Sequence, residues 1–85
     1  MKRSKQVPVN VERLRVTRWA EGYDVDEVDA FLDRVEPRLA GRPDPALADE
    51  ILAVRFTPVR IRAGYDQKDV DDLLDVLERR ARTGS

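Results

Sequence analysis

The sequence holds no cysteine and no histidine. Without cysteine there is no disulfide framework, no thiolate nucleophile and no thiolate-based zinc or iron–sulfur site. Without histidine, the Ser-His-Asp constellation, the His-Glu-x-x-His metalloprotease motif and the usual imidazole general base are excluded. An enzyme would have to run on carboxylates, arginines and two tyrosines, in 85 residues hardly able to enclose a substrate pocket. The expectation is a non-enzymatic chain with no catalytic residue, cofactor or metal. Aromatics are scarce at 6%, so the core must be mostly aliphatic. No apolar run approaches the ~18 residues of a membrane span. No signal-peptide hydrophobic stretch follows Met1-Lys2-Arg3-Ser4-Lys5-Gln6, so a cytoplasmic location is expected. Length allows one domain, 1–85, with modest stability.

Charge, by contrast, is abundant: 39% of residues carry it, yet the net is only −1. That balance hides a segregation. Residues 1–20 sum to +5, 21–36 to −6, 37–54 to −1, 55–64 to +3, 65–78 to −5 and 79–85 to +3. Basic and acidic blocks alternate along the chain.

The alternation is a repeat seen at low resolution. Sliding the sequence by 42 residues places Gly22-Tyr23-Asp24 on Gly64-Tyr65-Asp66. Arg13, Arg18, Val28, Asp29, Leu32, Asp33, Glu36 and Arg38 fall on Arg55, Arg60, Val70, Asp71, Leu74, Asp75, Glu78 and Arg80. Two copies are too few for a solenoid, so a pseudo-symmetric pair is expected, with repeats at 13–40 and 55–82.

Each copy reads as an extended arm, a Gly-Tyr-Asp turn and a helix. The arms, Leu14 to Trp19 and Phe56 to Arg62, are rich in β-branched and aromatic residues. Pro58 confines the second to an edge strand or an irregular segment. Gly22 and Gly64 are expected at positive φ. Asp24 and Asp66 are N-caps, with Glu27 and Asp69 three residues on. Val28, Phe31, Leu32, Val35 and Leu39 then form one apolar helical stripe, repeated by Val70, Leu73, Leu74, Leu77 and Ala81. Pro37 should end the first helix near Glu36, whereas the second can run to about Arg82. Between the copies, Asp44-Pro45 caps a short helix over 45–53, with Leu47, Ile51 and Leu52 facing inward. The fold class expected is mainly α. Two arm-turn-helix repeats pack as a helical hairpin or pseudo-dimeric coiled coil, and the arms are available to pair as β-strands.

The strings Glu21-Gly22-Tyr23-Asp24-Val25-Asp26-Glu27-Val28-Asp29-Ala30-Phe31-Leu32-Asp33 and Ala63-Gly64-Tyr65-Asp66-Gln67-Lys68-Asp69-Val70-Asp71-Asp72-Leu73-Leu74-Asp75 resemble the DivIVA domain. That domain is the N-terminal module of bacterial cell-division and polar-growth scaffolds. The resemblance implies a protein-interaction module, here in two tandem copies, acting as an accessory or regulator through helix–helix pairing. Its interface would be Val28, Phe31, Leu32, Val35, Leu39, Val70, Leu73, Leu74 and Leu77. The partner would be the chain itself, as monomeric pseudo-dimer or homodimer, or another DivIVA-type coiled coil that recruits it to the division site or pole. The family's loops also contact membrane through a hydrophobic residue and an Arg just ahead of the glycine. Here those positions are Ala20-Glu21 and Arg62-Ala63, and Glu21 would be repelled by anionic lipid, so direct membrane binding is not expected.

The residues also carry plainer readings. Tyr23 and Tyr65 are expected to pack under their turns, and Trp19 is expected in the core before it is expected as a partner anchor. The acidic first turns complement the helix dipole and lack the pattern of a calcium loop. Arg13, Arg15, Arg18, Trp19, Arg60 and Arg62 could meet an anionic partner, which leaves a small nucleic-acid-binding protein as the alternative. Against it, the sequence pI is about 5.4 and each arm adjoins an acidic helix. Pairing of one copy's arm with the acidic helix of the other copy or of another chain is the more economical reading.

Overall fold

Three aspartates start the three helices of the protein. In the computed structural model, which describes residues 14–39 and 41–84, Asp24, Asp44 and Asp66 each accept a hydrogen bond from the backbone N–H three residues on, at 3.0 Å. They open α1 (Val25–Val35), α2 (Pro45–Ala53) and α3 (Gln67–Thr83). Pro37 has no N–H to continue the ladder, and α1 gives way to one 3-10 turn over Glu36–Arg38. Gly84, at φ +80°, closes α3 and donates its N–H to the Arg80 carbonyl at 2.7 Å. The Asp44 cap has a second duty: its own N–H donates to the Ala81 carbonyl at 2.7 Å, tying α2 to the end of α3. Asp44→Ala is expected to cost about 1 kcal/mol, read as a lowered urea midpoint with an unchanged slope.

Four short strands make one antiparallel sheet: β1 (Val16–Thr17), β2 (Gly22–Asp24), β3 (Pro58–Val59) and β4 (Gly64–Asp66), in the order β1-β4-β2-β3. At its centre Tyr23 lies opposite Tyr65, with Gly22 opposite Asp66 and Asp24 opposite Gly64. Each repeat therefore meets the other by the same residues, the pattern of an isologous interface. The arms follow the same rule. Val16 and Thr17 lie opposite Tyr65 and Gly64, while Pro58 and Val59 lie opposite Tyr23 and Gly22. Each arm thus crosses to the strand of the other repeat.

The architecture corrects the expectation of a mainly-α hairpin or coiled coil: this is a small α+β fold. Two physical reasons account for the difference. With 11 residues, α1 is far short of the three or more heptads a coiled-coil seam needs. The Gly-Tyr-Asp segments are strands rather than turns, so the repeats join through the sheet, and α3 packs along α2. The predicted pairing stripes close one intramolecular core. Val28, Phe31, Leu32, Val35, Leu39, Val70 and Leu77 are buried in it with Leu14, Leu47, Ala48, Ile51, Tyr65 and Ala81. Leu73 and Leu74 pack against it half-buried. Leu52, expected to face inward, is 56% exposed. Gly22 and Gly64 are not at positive φ; among the glycines only Gly41 and Gly84 are. Among the described residues no helix is long and apolar enough to cross a membrane.

Candidate interaction surface

The crossing of the arms decides which charges remain available. Arg15, beside β1, donates its backbone N–H and its Nε to Asp69 Oδ2 at 3.0 and 2.8 Å, and its Nη2 to Oδ1 at 3.0 Å. The guanidinium thus grips the first turn of α3 through a two-pronged contact. In the other half, Thr57 stands where Arg15 stands in the repeat. Its N–H and hydroxyl donate to Glu27 at 2.7 and 2.9 Å, on the first turn of α1. Arg62 reaches the Asp24 cap at 2.6 Å. Basic arms and acidic helices therefore neutralise one another across the repeats, within one chain.

Hydrogen bonds from the Arg15 side chain, then from its backbone, hold the Asp69 carboxyl down at about 2, against 3.8 for a free carboxylate. A lowered folded-state pKa contributes stability that is present above the ordinary carboxylate range. It is lost as pH falls through about 2. Arg15→Gln is expected to return Asp69 part of the way to its ordinary value and to move acid unfolding to higher pH. Carbon-13 NMR titration of the carboxyl measures the first effect, and an unmoved Asp69 would refute it.

The tyrosines sit on the pseudo-dyad. Tyr65 donates its hydroxyl to Asp29 Oδ1 at 2.7 Å; burial, then that carboxylate, pushes its pKa up to about 12. Tyr23 is raised in the same direction, chiefly by burial and then by Asp71. Its ring packs 5.7 Å from that of Phe56, which in turn meets Phe31 edge-on at 5.8 Å.

Beyond these pairs two features stand out. The first is a tip. Trp19 and Ile61, which correspond in the repeat, are 95% and 96% exposed on the loops that lead into β2 and β4. The core placement expected for Trp19 is therefore corrected: its loop carries the ring away from the sheet. Arg18 and Arg60 stand beside them, exposed. The ion pairs of the described residues start from Arg15, Arg38, Arg62, Lys68 and Arg82, and leave both out. The second is a cleft of about 420 Å³ beside α2 and α3, with Leu52, Phe56 and Leu74 among its apolar lining and Tyr23, Arg55, Asp71 and Asp75 as polar lining.

The predicted anionic-partner residues are thus divided. Arg15 and Arg62 are engaged inside the molecule, Arg18, Trp19 and Arg60 point outward, and Arg13 lies outside the described residues. Of the turn motif, Gly22, Tyr23, Asp24, Gly64, Tyr65 and Asp66 all lie in the central strand pair. Ile61 and the cleft were not singled out from sequence. Ile61 was legible in principle, as the repeat mate of Trp19; the cleft was not, because it depends on how α2 lies on α3. Among the described residues no group of acidic side chains is placed to hold a metal ion. No family model, curated protein or solved structure matches the chain.

Proposed function

We propose that the chain is a non-enzymatic, DivIVA-like protein-interaction module. It works in the bacterial cytoplasm as an accessory of a division or polar-growth scaffold, which recruits it to the division site or pole. The observation that supports this reading is the register of Tyr23 against Tyr65, by which two Gly-Tyr-Asp units meet as two subunits of a dimer would. One chain then does the work of two single-copy subunits, as a monomeric pseudo-dimer. The partner is met by what the core leaves uncovered, since the apolar stripes are already used. Titration of the full chain against a purified DivIVA-type scaffold, followed by biolayer interferometry, tests the reading. Saturable binding supports it. No binding by a chain whose circular dichroism shows it folded overturns it.

A further inference from the structure

Trp19 and the cleft are complementary, and neither is satisfied by the described residues of its own molecule. The indole is 95% exposed, so it does not occupy its own chain's cleft. Trp and Arg are both among the residue types enriched in binding hot spots. The cleft offers the matching chemistry: Leu52, Phe56 and Leu74 for the ring, and Asp71 and Asp75, which outnumber the single Arg55 of the lining, for a cation. Both aspartates are exposed on α3, four residues apart and so on one face of the helix. The repeat supplies an internal comparison. In the first half the corresponding Leu32 is 2% exposed and the corresponding Tyr65 is buried and bonded to Asp29, whereas Leu74 and Tyr23 are half-buried. Asp71 acts on Tyr23 as Asp29 does on Tyr65, yet around Leu74 and Tyr23 the second half is more open than the matching place in the first.

We infer that the occupant is a second copy of this chain: Trp19 and Arg18 of one molecule enter the cleft beside α2 and α3 of the next, the indole against Leu52 and Leu74 and the guanidinium at Asp71 and Asp75. A net charge of only −1 favours such self-association, because little overall repulsion opposes contact between copies. Tip and cleft are different surfaces, so the contact is head to tail and repeats from molecule to molecule. A single-anchor contact covers well under the ~1,200 Å² of a stable interface, so assembly is weak and appears only at high local concentration. This contact stands whether or not the chain serves a division scaffold.

The sole tryptophan makes the test direct. Raising the full chain to on the order of 1 mM should shift Trp19 emission to shorter wavelength and increase the sedimentation coefficient. Trp19→Ala and Leu52→Asp, both at exposed positions, should each remain folded by circular dichroism and each stay monomeric. Mixed together they should form a one-to-one pair, because one retains the cleft and the other the tip. The Trp19 emission of Leu52→Asp should then shift on adding Trp19→Ala. Unchanged emission and sedimentation at high concentration would overturn the inference, as would association that survives Trp19→Ala, or a mixture that stays monomeric. An emission shift produced by phosphatidylglycerol vesicles but not by protein concentration would make the tip a lipid contact and equally overturn it.

Discussion

Gly22→Ala and Gly64→Ala should each lose ~1–3 kcal/mol as overpacked sites, and the double variant less than the two losses together, still a large share of the stability of a small domain. A Cβ on Gly22 would stand 2.8 Å from the Tyr65 carbonyl oxygen and 3.0 Å from Thr17 Cγ2. On Gly64 it would stand 2.6 Å from Val59 Cγ2 and 2.9 Å from the Tyr23 carbonyl oxygen. Two of these neighbours are backbone in the central strand pair, which cannot yield without loosening the register. Neither glycine is at positive φ, so the cost is steric. The two sites strain one contact, so their effects should not simply add. Urea unfolding of both single variants and the double variant measures this. Variants within about 0.5 kcal/mol of the parent, the range of ordinary surface changes, would show that the strands do not meet this closely.

Leu77→Ala should cost ~2–5 kcal/mol, the range for truncating a buried leucine in a core that relaxes only partly. Leu77 is 1% exposed on α3, which packs along α2. A loss of that size lowers Tm by about 4–8 °C per kcal/mol in a domain this small. Val76, the adjacent residue, is 37% exposed and serves as the control; Val76→Ala should stay within about 0.5 kcal/mol. Similar losses from both variants would mean that α3 presents a different face to the core.

Those two positions also show which parts of the molecule can be read from residues alone. The helical stripe at Val70, Leu73, Leu74, Leu77 and Ala81 is periodic, and periodicity reports the buried face of a helix whatever covers it. The caps at Asp24, Asp44 and Asp66 and the stop at Pro37 are local chemistry, and all four act where they stand in sequence. What covers the stripe is not local. The same apolar pattern suits a hairpin, a coiled coil or a sheet-joined pair, and only the lengths of α1 and of the strands decide among them. Gly22 and Gly64 were recognisable as special, but for a different reason. A glycine tolerated for positive φ and one required by a neighbouring backbone look identical in sequence. On the surface, the exchange of charge between arms and helices was legible because the blocks alternate. The outward turn of Trp19 was not, because an isolated aromatic in a charged loop carries no periodicity to place it.

The crossed arms have a consequence for synthesis. Tyr23 is matched with Tyr65 on one side and Pro58 on the other, and Val16 with Tyr65, so no edge of the first repeat is complete until the second has left the ribosome. Closing so long a stretch of chain before any strand contact is gained raises contact order and slows folding. The nascent first half therefore waits with the edges of β1 and β2 unpaired. In that interval another copy of the same half is as good a partner as the one still to be made. Unlike a helical bundle, which can begin to form turn by turn, this domain gains its first inter-repeat strand pair only once residues 58–66 are made, so slower translation between the repeats should favour two chains sharing a sheet.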